Sequence, residues 1–280
     1  MSLRRRTLLV TAASSILAGC AIPSHIPIAR SGSGSAGVSG LRSSPTGHRL
    51  PAGAVSSATS ERLASNVSVD RASVTAGVTR DEVIARYRDV RASAWGIDVP
   101  GVTTVLPTTD KVIALTFDAC GGPHGSGYDH ALVAFLREHG ILATLFLNSR
   151  WIDANIRVFH ELTADPLFEI ANHGTSHRPL SVSGRSAYGI DGTGNTAEAF
   201  DEVTGNRDKI AAFLGRPPRF FRAGTAHCDD VAARIVVDLG ERVVNFDVNG
   251  DAGATFTSDQ VERAVLGARP GSIVIAHMNH

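Results

Sequence analysis

The chain has 280 residues, with 27 Lys and Arg against 27 Asp and Glu, so its formal net charge is zero. That balance excludes a basic nucleic-acid-binding face as the organising feature. Hydrophobic residues make up 43% of the chain, enough for one sizeable core, yet every Phe, Tyr and Trp lies at Tyr87 or beyond, so the folded part is expected late.

Residues 1–20 start with Met1-Ser2-Leu3-Arg4-Arg5-Arg6 and continue through small and apolar residues to Leu17. A basic start, a short apolar run and a small-residue site read as a secretory signal peptide. The run of about eleven residues is too short for a membrane-spanning helix, which needs about 20. Leu17-Ala18-Gly19-Cys20 resembles a bacterial lipobox, in which the cysteine is lipidated. The resemblance implies an exported lipoprotein anchored in the bacterial cell envelope, on its periplasmic or outer-membrane side. The alternative is an ordinary signal peptide cut near Ala18, with Cys20 incidental. Arg5-Arg6 also resembles, more weakly, a twin-arginine signal. Residues 21–78 are rich in Ser, Gly and Pro, cannot bury enough apolar surface to offset ordering, and are expected to form a disordered linker.

Residues 79–107 are a lead-in. Thr79-x-x-Glu82 reads as a capping box, and Val83, Ile84, Tyr87, Val90, Ala94 and Trp95 follow at helical spacing, predicting an amphipathic helix over 80–95. Beyond Lys111 the pattern alternates. Strands are predicted over 112–117, 141–147, 167–171, 219–221, 242–246 and 272–276. Helices are predicted over 128–139, 150–162, 196–214, 229–239 and 257–266. Repeated strand-then-helix units imply a parallel sheet, open or closed into a barrel, with chemistry at the carboxyl ends of the strands.

Those ends are where the polar residues collect: Asp118, His173 with His177, Arg222, Asp247 with Asp251, and His277. One such residue is usually structural; several at strand ends point to a site. Gly121 to Gly127 is not a phosphate loop, because no Gly-Lys-Ser/Thr follows, and reads as a mobile lip. No Gly-x-Ser-x-Gly elbow supports a serine hydrolase. His124, His130, His139, His160 and His227 read as surface or loop residues.

The ordered set Thr116-Phe117-Asp118, His173-x-x-x-His177, Arg222-x-Gly224, an aspartate, and Ile273-Val-Ile-Ala-His277 resembles the polysaccharide deacetylase family, with its NodB homology domain of carbohydrate esterase family 4 type, over residues 108–280. The resemblance implies an α/β fold, a distorted (β/α) barrel, and a hydrolase that removes N-acetyl groups from an N-acetylated polysaccharide, with no nucleic-acid partner and a monomeric state. It implies a divalent metal, zinc being the first choice, held by His173 and His177, whose spacing suits one side of a helical turn. Asp118 would be the general base and His277 the general acid. Arg222 would hold the base carboxylate, and Asp251, ahead of Asp247, would orient His277.

Two departures stand out. The family has a second aspartate after the base, a metal ligand, where this chain has Ala119, in a Thr-Phe-Asp-Ala-Cys motif that resembles one branch of the family. The chain also stops at His280, three residues past His277, leaving truncation open. Both favour the alternative of a non-catalytic carbohydrate-binding lipoprotein. Cys120 and Cys228 are expected on the carboxyl-end rim. Cys120 reads first as a small buried thiol without a partner, second as half of a disulfide with Cys228, and third as the missing metal ligand.

Overall fold

The computed structural model describes residues 77–279. The signal peptide and nearly all of the linker therefore lie outside the described residues. The elements run α1 (Arg80–Tyr87), β1 (Trp95–Gly96), β2 (Val102–Thr103), β3 (Ala114–Ala119), α2 (His130–Glu138), β4 (Ala143–Leu147), α3 (Ser149–Ala154), α4 (Ile156–Thr163) and β5 (Phe168–Asn172). They continue with α5 (Thr196–Leu214), β6 (Phe220–Phe221), β7 (Cys228–Asp229), α6 (Asp230–Asp238), β8 (Arg242–Val244), β9 (Val248–Asn249), α7 (Ser258–Leu266) and β10 (Ile273–His277).

Eight strands pair side by side in the order β2-β8-β6-β5-β4-β3-β10-β9, every pair parallel. Helices separate most of them along the chain, as parallel crossovers usually require. The result is a curled half-barrel, the distorted (β/α) barrel expected from the sequence. β1 and β7 form a separate antiparallel pair.

The core has two parts. One packs Phe117 and Ala119 of β3 with Val133 and Leu136 of α2, Trp151 and Ile152 of α3, and Phe159 and Leu162 of α4. The other packs Val83 of α1 with Val203 of α5, Val231 and Ile235 of α6, and Phe221 and Val243 of the sheet. Asp129, Asn195 and Asp229 cap α2, α5 and α6 by accepting from Leu132, Glu198 and Ala232 N–H.

Two helices differ from expectation. The Thr79–Glu82 capping box forms, but α1 ends at Tyr87 instead of running to Trp95. The Asp230 carboxylate accepts the backbone N–H groups of Ser93 at 2.8 Å and Ala94 at 3.0 Å, which draws that segment into an extended path leading to β1. The helix predicted over 150–162 is broken at Asn155, whose side-chain amide donates to Ser126 O at 3.0 Å and Trp151 O at 3.1 Å. The same contacts, with Trp151 Nε1 donating to Gly127 O at 2.7 Å, tie down the loop from Gly121 to Gly127 that reads as a mobile lip in the sequence.

Candidate active site

Parallel register brings the polar residues together. Asp118 of β3 lies opposite His277 of β10. Leu147 of β4 lies opposite Asn172 of β5, and Asn172 opposite Phe221 of β6. The next residue on each of these three strands, Asn148, His173 and Arg222, therefore arrives at the same level. Along β3 the side chains alternate: Leu115, Phe117 and Ala119 join the apolar layer, while Thr116 and Asp118 face Arg222.

Arg222 is fully buried and anchors the base. Its guanidinium donates to Asp118 Oδ1 at 2.7 Å, Thr116 Oγ1 at 3.0 Å, Val244 O at 3.0 Å and Asn245 O at 3.1 Å. The Phe146 ring centroid lies 4.1 Å from the guanidinium carbon. Burial alone would push the Asp118 carboxyl up, but the charges of Arg222, His173 and His277 outweigh it and hold it below the ordinary carboxylate value.

His173 Nδ1 lies 3.0 Å from the Arg222 carbonyl, which can only accept, so the proton sits on Nδ1. Nε2 then points at two acceptors, Asp118 Oδ2 at 3.5 Å and Cys120 Sγ at 4.0 Å. Such a position calls for a positive charge at Nε2, either a proton or a metal ion.

His177 reaches the same place by a tight loop, not by the helical turn its spacing suggests. Its φ is +61°, unusual for a residue with a side chain, and Gly174 turns at φ +77°. Glu202 of α5 holds the loop, accepting from Ser176 N at 3.0 Å and Arg178 N at 3.3 Å. Asn148 Nδ2 donates to His173 O at 2.9 Å and Gly174 O at 2.8 Å. Across the loop, a Cβ on Gly224 would lie 2.3 Å from the His177 carbonyl carbon, so only glycine fits there. The His173 and His177 rings sit edge to face, 4.9 Å apart, and His177 Nε2 is buried without a hydrogen bond.

Of the two candidate aspartates, Asp251 meets His277. Its carboxylate lies 3.0 Å from Nδ1 and accepts the His277 backbone N–H at 2.6 Å. Asp247 instead accepts from Ser272 Oγ at 2.9 Å and Ile273 N at 2.8 Å, fixing the start of β10. Burial would lower the His277 pKa, but Asp251, Cys120 and Asp118 raise it to about 10.

Cys120 and Cys228 are both free thiols, so the disulfide between them does not form. Cys228 is buried in the core cluster with Leu180, Val231 and Ala232 instead of on the rim, and burial beside Asp229 and Asp230 pushes its thiol up to about 12. Cys120 is not an isolated buried thiol. Burial would push it up, but His173, His177 and His277 pull it down to about 4. Cys120, His173 and His177 offer ligand atoms within 4.8 Å of one another, the donor types of a zinc site.

Asp118, Cys120, His177 and His277 line a cleft of about 480 Å³. Tyr188, 81% exposed, and Asn249 stand at its lip, and the Tyr188 ring meets His227 edge to face at 5.1 Å. A second cavity, of about 550 Å³ at the amino ends of the strands, is lined mostly by apolar residues and holds none of the predicted site residues. Sequence reasoning missed Asn148, Glu202 and Tyr188. Asn148 follows a strand end and was findable by the rule that found the others; Glu202 and Tyr188 carry no local signal.

Residues 106–244 match the family model described as polysaccharide deacetylase. Among solved structures, a CE4 family pseudoenzyme from Bacillus anthracis superposes with a TM-score of 0.54 at 22% identity, covering 65% of this chain and 59% of that one. A mutant of it with restored enzymatic activity gives 0.54 at 23%, covering 64% and 61%. A peptidoglycan N-acetylglucosamine deacetylase gives 0.53 at 20%, covering 63% and 76%. At these identities the likeness is one of fold, and the chain spans about three fifths of the first two proteins. No curated protein sequence matches.

Proposed function

The domain of residues 106–244 belongs to the polysaccharide deacetylase family, and from that premise we propose that this chain is a metal-dependent hydrolase removing N-acetyl groups from an envelope or extracellular polysaccharide. The observation that carries the reading is the placing of the Arg222-held Asp118 carboxylate and the Asp251-held His277 imidazole in one cleft.

His173 and His177 are the residues that would hold a divalent ion, most simply zinc, and the buried, unbonded His177 Nε2 fits that use. When bound, the ion supplies Lewis acidity, polarising the acetyl carbonyl and easing ionisation of water. The chain's own residues do the rest. Asp118 takes a proton from the attacking water, and Arg222 keeps its carboxylate ionised and aimed. His277, protonated at neutral pH, gives its proton to the leaving sugar nitrogen as the amide C–N bond breaks. Acetate and a free amine result. Asp251 fixes the His277 ring through Nδ1, and Nε2 is the nitrogen that transfers the proton. The exposed Tyr188 ring offers a flat apolar platform for the face of a sugar outside the cleft.

The test is acetate release from a panel of N-acetylated glycans, measured on zinc-loaded and chelator-treated protein. Metal-dependent acetate from at least one glycan supports the reading; none from any glycan with zinc bound overturns it. A second reading, a non-catalytic carbohydrate-binding protein, is favoured by Ala119, which leaves the family's second aspartate ligand missing. Glycan binding without acetate release by zinc-loaded protein would support that one. The lipobox-like Leu17-Ala18-Gly19-Cys20 supports a lipid anchor in the cell envelope. Cys20→Ser should release the protein from the membrane fraction, and unchanged partition would refute the anchor.

A further inference from the structure

Resting on the metal-dependent reading above, we propose that Cys120 is the third protein ligand, so that the centre is Cys120, His173 and His177 in place of an Asp-His-His set. Ala119 cannot substitute for the missing carboxylate, and not only because it lacks one. It is fully buried, and its methyl points into the apolar layer with Phe117, Val133 and Trp151, away from the cleft. The next residue turns back: Cys120 lies on the Asp118 side and lines the cleft with Asp118, His177 and His277.

Geometry and charge agree. In a tetrahedral zinc site, bonds of about 2.3 Å to sulfur and about 2.0–2.1 Å to nitrogen put neighbouring donors about 3.4–3.6 Å apart. Cys120 Sγ and His173 Nε2 are already 4.0 Å apart. His173 has its tautomer fixed for ligation, since the Arg222 carbonyl holds Nδ1, the outer contact that ligating histidines usually make. His177 Nε2 is buried without a hydrogen bond, and buried polar atoms rarely stay unpaired unless they have a task. One thiolate and two neutral imidazoles leave a divalent ion one net positive charge. Asp118 is neutralised separately by Arg222, so the base stays outside the ligand set. Three protein ligands with the cleft on the open side is the arrangement of a catalytic zinc site.

The test is cobalt(II) titration of the purified full chain, followed by absorption, because a bound thiolate adds an intense near-ultraviolet charge-transfer band to the weaker visible bands of the ion. The chain has three cysteines, so a variant carrying Cys20→Ala and Cys228→Ala leaves Cys120 as the only thiol. That variant should keep the band. Adding Cys120→Ser should abolish it and weaken cobalt and zinc binding by at least about 100-fold, more than loss of an outer contact costs. Cys120→Asp should restore affinity without restoring the band. Visible cobalt bands dependent on His173 and His177, with no thiolate band in wild-type protein, would overturn the ligand assignment and leave the metal-dependent reading intact. No cobalt bound by wild-type protein at all would overturn both.

Discussion

Arg222→Met tests the buried heart of the site. Methionine keeps much of the volume beside Phe146 and removes every donor. Four contacts disappear, to Asp118, Thr116, Val244 and Asn245. Removing one partner of a buried ion pair costs about 3–5 kcal/mol, because the other charge stays buried without compensation. Each stranded carbonyl adds about 1–3 kcal/mol unless it relaxes toward another donor. Asp118 has one escape, which is to take a proton. In the wild type its pKa lies below the ordinary value, so its contribution to stability is present at neutral pH and is lost only as pH falls through the folded-state value. Without Arg222, burial dominates and the folded-state value rises above the unfolded one, so the variant loses stability as pH rises. The deficit against wild type should therefore be at least about 3–5 kcal/mol at pH 7 and smaller under mildly acidic conditions. Urea unfolding followed by circular dichroism at several pH values measures it. Adding Asp118→Leu to Arg222→Met should recover much of the loss, since an apolar pair can replace a buried ion pair at little cost. A single-variant deficit under about 1 kcal/mol, or a double variant no more stable than the single, would refute the reasoning.

Three further outcomes are expected. Asp251→Asn removes the carboxylate that raises His277, so the alkaline limb of kcat should move down by about 1 pH unit or more, which a pH–rate profile reads. Glu241 is buried beside Asn172 with its carboxyl pushed from 4.5 up to about 8, so the folded protein holds a proton that the unfolded chain releases. Its stability should fall between those pH values with a slope of at most about 1.4 kcal/mol per unit, and Glu241→Gln should flatten that part of a Tm-against-pH curve. Gly224→Ala drives a methyl into the His177 backbone and should cost about 1–3 kcal/mol and weaken zinc binding, read by thermal melting and metal titration together.

The sequence told most where the physics is local. A parallel sheet puts all its carboxyl ends on one side, so reading Asp118, Arg222 and His277 as strand-end residues was enough to bring them together. The helix expected over 196–214 forms with those bounds, Asn195 capping its start and Gly215 ending it before Pro217-Pro218. What stayed hidden depends on distant partners. The two histidines share a site through a loop held by Glu202 and by the close approach of Gly224, and neither leaves a trace in the His-x-x-x-His spacing. The choice between Asp247 and Asp251 is made by the β9–β10 register, which pairs Asn249 with Ile275 and so carries Asp251 to the level of His277. The early end of α1 follows from Asp230, more than a hundred residues away. β1, β2, β7 and β9 are two residues long, too short for any periodicity.

The most direct test of the central claim is acetate release from an N-acetylglucosamine oligomer by zinc-loaded wild-type and Asp118→Asn protein, with zinc content measured on the same samples. The account predicts equal zinc in both and turnover lowered by about 10²–10⁴-fold in the variant, the usual cost of losing a general base. Wild-type turnover in Asp118→Asn at full zinc occupancy would contradict it.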